Sequence, residues 1–337
     1  MKFNSKEIQA AAVDAVALAT GQQVKAPHPL AAEIGLRDIA FACGDLARKC
    51  SPGTHDLAIV GYGMGTADFS ALLAKGASAA TINSYAAQAE HSKFCSRLEV
   101  IDFQPSELPA LDADLGLEPL LEGAKITQGL AFLSAGSTAV QLITYAKAIG
   151  VSRELIINNR TFALGHIFAG LGASAARTEA RLVAACLEAN QTLDDGNVVF
   201  DAAYGNVLPQ ALSTLNLGAA MALLRNQLTS AGQRADYRAR HLVVASDLEF
   251  VAHTLVVDSG IDLTVSTLAD LPDGRWYLTA DPAICPTIAT LVLQSAKVPV
   301  RVEAKRRPIN LDGAAVQVVA DLGATLLRRV GIIRGGV

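Results

Sequence analysis

The stretch TFALGHIFAGLGASAARTEARLVAACLEAN, Thr161–Asn190, carries the longest helical pattern in the chain. Phe162, Ile167, Phe168, Leu171, Ala175, Leu182 and Cys186 supply its apolar side. Arg177, Glu179, Arg181 and Glu188 are expected on its solvated side. Unbroken, such a helix would run about 45 Å; Gly165, Gly170 and Gly172 are places where its first half can bend. Just before it, Arg153–Ile157 reads as a short strand, and Asn158 or Asn159 can cap the helix. Just after it, Asp195-Gly196 is a turn signal, and Asp273-Gly274 and Asp312-Gly313 repeat that signal further on.

Toward the N-terminus, Lys6–Thr20 and Ala31–Cys50 read as helices around the Pro27-His28-Pro29 break. Ser51-Pro52-Gly53 is a loop, and Thr66–Glu90 a further helix anchored by Phe69, Leu72 and Leu73. Arg97–Phe103 reads as a strand, and Val140, Leu142 and Thr144 alternate as a returning one. Toward the C-terminus, Asn216–Ala231 and Asp247–Val256 read as helices, and His241–Ala245 and Trp276–Thr279 as strands. Val298–Ala304 and Ala314–Leu327 are expected as long strands either side of Asp312-Gly313.

Of the 337 residues, 51% are hydrophobic, 5% aromatic and only 18% charged, with a net charge of −4. An ordinary soluble domain carries about 25% charged residues, so the polar surface is thin for a lone globule. The apolar content excludes disorder, and the mild negative charge disfavours a dedicated nucleic-acid binder. Ala202–Leu224 and Ile126–Ala146 are uncharged and long enough to span a bilayer. Asn206, Gln210 and Asn216 in the first, and Gln128 and Gln141 in the second, make burial in lipid costly, so no membrane span is expected. The start, MKFNSKEIQAAAVDAVALATG, mimics a signal peptide, but Glu7 and Asp14 break its charge pattern. Cys43, Cys50, Cys95, Cys186 and Cys285 are odd in number and form no C-x-x-C, as expected of free thiols in a reducing cytoplasm. The apolar surplus is therefore expected at a protein–protein interface.

Little in the chain looks like catalytic machinery. Gly61-Tyr62-Gly63-Met64-Gly65 follows the apolar run Leu57–Val60 and precedes a helix, but Thr66 stands where a dinucleotide fingerprint continues toward its third glycine. A flexible loop is expected there, and a nucleotide-dependent enzyme using it is the alternative from another functional class. Walker A, G-x-S-x-G and H-E-x-x-H motifs are absent. His91 and Cys95 stand four apart, too few ligands for a zinc site. Asp194-Asp195, followed by Gly196, reads as a turn rather than a catalytic pair. No catalytic, cofactor-binding or metal-binding residue is assigned.

One asymmetry says more. Residues 101–123 contain Asp102, Glu107, Asp112, Asp114, Glu118 and Glu122 and no base, and read as an extended acidic arm. Residues 297–334 carry Lys297, Arg301, Lys305, Arg306, Arg307, Arg328, Arg329 and Arg334 against only Glu303, Asp312 and Asp321. An acidic arm and a basic face on one chain suit head-to-tail association between copies; pairing within one chain is the alternative. The inter-subunit contacts expected on this reading are Glu107, Asp112, Asp114, Glu118 and Glu122 on the arm. On the basic face they are Arg301, Lys305, Arg306, Arg307, Arg328 and Arg329.

A series of short stretches, weak singly but specific in order and spacing, resembles the major capsid (head) proteins of tailed phages, in particular the Mu-type major head subunit group. They are Thr66-Ala67-Asp68-Phe69 with Leu72-Leu73, Ser152-Arg153-Glu154 with Ile156-Ile157-Asn158, and the long helix to Asn190. Then follow Asp195-Gly196 with Phe200, Gly205-Asn206, the helix with Met221 and Gln227, and His241–Leu248. Trp276-Tyr277-Leu278 and Asp312-Gly313 with Asp321 and Gly323 complete the series over residues 60–330. Tyr204 stands where the family usually has His, and Asn159 and Arg160 where it usually has acids.

The resemblance implies an α+β fold, the Hong Kong 97-type phage capsid fold. On this chain it implies an N-terminal arm (1–93), an E-loop (94–150), a peripheral domain with the spine helix (151–212), an axial domain (213–297) and the peripheral return strands (298–337). It also implies a non-enzymatic major capsid protein that self-assembles into hexamers and pentamers of an icosahedral head around double-stranded DNA held without sequence specificity. Expected partners are further copies, a separate scaffolding protein, the portal and a decoration protein, with assembly in the host cytoplasm and a final place in the virion. An encapsulin-like compartment of the same fold is the alternative. Lys125 and Lys147 are the only lysines in the implied E-loop, and covalent cross-linking between subunits is not expected.

Overall fold

The computed structural model describes residues 4–19, 24–48, 56–64, 66–104, 106–113, 131–158, 161–193, 196–229, 232–305 and 313–336. Its N-terminal elements are α1 (Ser5–Ala19), α2 (Leu36–Arg48), α3 (Asp56–Met64), α4 (Ala67–Gln88), β1 (Ser96–Val100), β2 (Ser106–Ala113), β3 (Ala131–Val140), β4 (Ile143–Ser152), α5 (Arg153–Ile157) and α6 (Thr161–Glu188). Then come β5 (Val207–Leu208), α7 (Thr214–Asn226), β6 (Ala239–Val244), α8 (Glu249–Ser259), β7 (Thr264–Thr267), β8 (Trp276–Ala280), β9 (Ile288–Leu293), β10 (Val300–Lys305), β11 (Gly313–Leu322), β12 (Ala324–Leu326) and β13 (Ile332–Gly335). They divide into two compact units, residues 1–89, 144–177 and 297–321, and residues 90–143, 178–296 and 322–337.

The first unit is helical and rich in alanine. On α1, Ile8, Ala11, Ala12, Ala15 and Val16 are buried, a stripe at the three- and four-residue spacing of one helix face. It packs with Leu36, Ile39, Ala40 and Cys43 of α2 and with Phe69, Leu73 and Ala77 of α4 in one core. Thr66 caps α4 by accepting the Phe69 amide at 3.3 Å. Ser84 of α4 donates to the Ala169 carbonyl of α6 at 2.7 Å. The sheet order is β10-β11-β4, with β10 and β11 antiparallel from Val300↔Ala320 to Lys305↔Ala315. Ala314 and Val316 of β11 enter the same core. The hairpin expected around Asp312-Gly313 thus exists, although Asp312 itself lies outside the described residues.

Two expectations fail in this unit. Arg153–Ile157 is the short helix α5, not a strand. The Asn158 amide reaches back to the Glu154 carbonyl at 2.9 Å, and Ile156 is fully buried in the helical core. So short an apolar run has no period of its own, and its packing decides. The segment Gly61–Met64 is not a loop but the last turn of α3. There the glycines serve contact between helices: a Cβ on Gly63 would stand 1.7 Å from the Ala40 carbonyl oxygen, and one on Gly44 2.2 Å from that of Ile59. The backbones of α2 and α3 therefore touch where no side chain fits. A phosphate needs free amides at a helix N-terminus, and these glycines lie at the other end. Gly65 lies outside the described residues.

The second unit is built on a five-stranded sheet of order β5-β13-β8-β6-β7. Alternation along its strands makes two cores. Val243, Tyr277 and Ile332 face Phe94, Val183, Leu187 and Phe200. Leu242, Val244, Trp276, Leu278 and Ile333 face the other way, toward Leu217, Ala220 and Leu224 of α7 and Ala252 of α8. Residues from the second half of α6 thus line one face, and α7 and α8 the other. Ser213 caps α7 by accepting the Asn216 amide at 3.2 Å. α7 ends at Asn226, earlier than expected, and the next side chain, Gln227, donates to the Ile332 carbonyl at 3.0 Å and accepts the Gly331 amide at 2.7 Å.

A smaller sheet has β9 between β1, which runs parallel to it, and β12, which is antiparallel. The long strand expected over Ala314–Leu327 is broken at Gly323, where a Cβ would lie 2.7 Å from Leu291 Cδ1 and 2.9 Å from the Gln141 carbonyl oxygen. β2 and β3 form a separate antiparallel ladder, shifted between Pro109 and Leu111; proline brings no amide to the ladder. No described helix is long and apolar enough to cross a membrane.

Candidate subunit interface

Of the acidic arm, residues 106–113 form strand β2 of the two-stranded ladder, and Asp102 lies before it. Glu107 pairs opposite Ala139 and Asp112 opposite Phe132. Asp114, Glu118 and Glu122 lie outside the described residues, as do Arg306 and Arg307, and Lys305 is the last residue of β10. Arg301, on β10, is occupied within its own chain. It donates to Glu303 at 2.7 Å and to the buried carboxylate of Asp321. Thr144, at the start of β4, donates to the other Asp321 oxygen at 2.7 Å, and Gln317 donates to Glu303 at 2.8 Å. The hydrogen bond from Arg301 is the main reason the Glu303 carboxyl sits below the usual range. This network links the start of β4 to β10 and β11, its companions in one sheet.

Arg329 lies with its guanidinium 4.3 Å from the ring centre of Tyr204 and donates to the Asn197 carbonyl at 3.3 Å. Arg328 is half-buried beside it. The tyrosine that departs from the family pattern thus has a local task, stacking on a cation.

Two carboxylates expected in solvent are not there. Glu179 is 1% exposed and meets His91 Nε2 at 3.0 Å. His91 sits in the short turn Glu90–Lys93 that leads into β1 and is itself 2% exposed. Glu188 is half-buried and accepts from the Tyr277 hydroxyl at 2.7 Å, from Arg275 at 3.1 Å and from Arg334 at 3.4 Å. It ties the end of α6 to β8 and β13. Burial, and then the bond to Glu188, push the Tyr277 hydroxyl above its ordinary pKa. Composition could not show either placement, because the partners come from distant parts of the chain.

The thiols are quiet. Burial pushes Cys43 up to about 11 and Cys186 up to about 12. Cys95 is raised too, by burial and then by the Glu179 charge. A raised thiol pKa keeps the neutral form at pH 8, and the neutral form is not the nucleophile. In the folded protein at that pH, a maleimide should leave Cys43, Cys95 and Cys186 unmodified, and denaturation should expose all three. Mass spectrometry of the labelled peptides checks this, and rapid native labelling at any of the three contradicts it. Among the described residues no group of three or more His, Cys, Asp or Glu is placed to hold a metal ion.

A surface that sequence reading missed lies on α8. Six of its eleven residues are apolar and they are spread around the helix rather than gathered in one stripe, yet only Ala252 is buried. Phe250 is 81% exposed and Val257 77%.

The first unit is a helical layer packed with a three-stranded sheet, and the second holds a sheet covered on both faces, with apolar side chains left exposed on α8. The chain belongs to the phage capsid protein family, whose model matches residues 135–335. It has the Hong Kong 97-type capsid fold and is a major capsid structural protein. A solved structure from Microbacterium phage Oxtober96 is similar at 11% identity, covering 74% of this chain and 90% of that one, with a TM-score of 0.50. The capsid of a native GTA particle is similar at 12% identity, covering 74% and 89%, with a TM-score of 0.49. A virus-like particle from Pyrococcus furiosus is similar at 13% identity, covering 77% and 96%, with a TM-score of 0.46. No curated protein matches the chain.

Proposed function

We propose that this capsid protein self-assembles into hexamers and pentamers of an icosahedral tailed-phage head that encloses double-stranded DNA. The family match over residues 135–335 carries the reading. The protein acts as a wall and not as an enzyme. It is assembled in the host cytoplasm with a scaffolding protein and portal, is open to a decoration protein, and ends in the virion. Its closer kin on this reading are the Mu-type head subunits. Residues 1–93 serve as the N-terminal arm, 94–150 as the E-loop, 151–212 and 298–337 as the peripheral domain and 213–297 as the axial domain. A net charge of −4 suits a container that must not grip its DNA tightly.

In the assembled shell the acids Glu107, Asp112, Asp114, Glu118 and Glu122 dock on the basic surface of an adjacent copy. The basic residues that receive them are Arg301, Lys305, Arg306, Arg307, Arg328 and Arg329. Reversing Glu118 and Glu122 to Lys should block shell closure while leaving soluble subunits. Sedimentation and electron microscopy read the outcome, and normal particles from that variant would refute the docking. For the wild type the expectation is megadalton particles holding nuclease-resistant DNA when packaged; a small oligomer under all assembly conditions would overturn the capsid role.

A further inference from the structure

The second unit leaves apolar side chains uncovered toward both ends of one sheet face. α8 packs on β7 and β6, at one edge of the five-stranded sheet, and α7 packs on β13, next to the other edge. Both cover the same face. Phe250 and Val257 of α8 are about four-fifths exposed, and Val251 is 40% exposed. On the other side Leu215 is 82% exposed, and Leu228, just past α7, 58%. Phe250 and Val257, seven residues apart on one face of α8, and Leu228, bridged to Arg234 just past α7, are the exposed apolar side chains that mark an interaction surface.

The charges beside the two patches are opposite. Glu249 and Asp258 flank Phe250 and Val257 in sequence and are exposed. Near the end of α7 come Arg225, Arg234 and Arg238, also exposed. Arg225 is paired with Asp236 at 3.3 Å, whereas Arg234, Arg238, Glu249 and Asp258 form no ion pair among the described residues. An acidic-rimmed apolar patch and a basic-rimmed one at opposite edges of one sheet cannot satisfy each other within the unit. They can do so between copies, and a patch that meets a different patch gives a head-to-tail contact, which closes a ring where the rotation between copies allows it.

We propose that the α8 face of one copy, centred on Phe250 and Val257, packs on the α7 side of the next copy, with Glu249 and Asp258 opposite Arg234 and Arg238. The occupant is a second copy of this chain. The proposal rests on the capsid role and names the contact that holds neighbours within one capsomer. It is separate from the docking of the acidic arm.

The test uses the full chain under conditions in which the wild type forms particles. F250S/V257S should remain folded, because both side chains are solvated in the single chain. Its yield of capsomers and particles should fall about tenfold or more, as expected for a central aromatic anchor. E249K/D258K and R234E/R238E should each lower the yield, and the two sets combined should restore it. Circular dichroism and thermal melting of the purified subunits confirm folding. Sedimentation velocity and electron microscopy measure assembly. Particles at wild-type yield from F250S/V257S would overturn the proposal. So would a combined charge reversal no better than the single sets, since α8 would then meet some other partner. If the wild type itself forms no particles, the capsid role fails first, and the two failures are told apart.

Discussion

Glu179→Ala is expected to cost the folded subunit about 1–3 kcal/mol, the range for leaving a buried hydrogen-bond donor without its partner. Both side chains are almost wholly out of water, at 1% exposure for Glu179 and 2% for His91, and they meet at 3.0 Å. Without the carboxylate, the imidazole Nε2 stays buried with nothing to receive its proton. Nδ1 already lacks a hydrogen-bond partner among the described residues, so water cannot easily compensate on the other side. Glu179→Gln keeps an acceptor of nearly the same shape and should lose less. The double variant H91L/E179L removes both polar groups and should recover much of the loss, because matched apolar replacement of a buried pair is often neutral. Urea unfolding of unassembled subunits, run as a double-mutant cycle, measures the coupling. A Glu179→Ala loss below about 1 kcal/mol would mean the pair is solvated in practice.

That pair also marks how far sequence reasoning reached. The Thr161–Asn190 helix was legible because its apolar positions recur at helical spacing and glycines are confined to its first half, and it emerges as α6 over Thr161–Glu188. The strands Trp276–Ala280 and Ala239–Val244 were legible from their composition. Glu179 was not, because a charged residue between Arg177 and Arg181 looks solvated until His91 arrives from the other side of the acidic segment. Glu188 was misplaced for the same reason: Arg275, Tyr277 and Arg334, which hold it, all come from later strands or the turns beside them. The charge asymmetry of the chain was visible, but not that Arg301 spends its guanidinium on Glu303 and Asp321. Exposure of α8 was invisible for another reason, since apolar residues spread around a helix without one stripe do not tell which of them face out. Local pattern reports which element forms; it does not report which distant group, or which second copy, completes it.

Gly63→Ala and Gly61→Ala should shift stability in opposite directions, though they lie two residues apart in the same helix. At Gly63 the added methyl would stand 1.7 Å from the Ala40 carbonyl oxygen and 2.7 Å from the Gly44 amide nitrogen, both backbone atoms that cannot swing aside. The helices α2 and α3 must separate, which uncouples Ala40, Cys43, Val60 and Met64 in the shared core. Overpacking of this kind costs about 1–3 kcal/mol, and a backbone collision belongs at the upper end. The gain in helix propensity, about 1 kcal/mol for glycine to alanine, offsets only part of it. At Gly61 the nearest atoms to a new methyl are those of the Arg153 guanidinium, at 3.7 and 3.8 Å. That is ordinary contact, so the propensity gain stands alone and the variant should be as stable as the wild type or more so. Thermal melting of the two purified variants decides the matter. A phosphate-binding loop predicts something else: both variants would keep the fold, and both would lose a ligand-induced rise in melting temperature on adding ATP or NAD. If the glycines exist for helix contact, neither nucleotide moves the melting temperature of the wild type, and only Gly63→Ala falls.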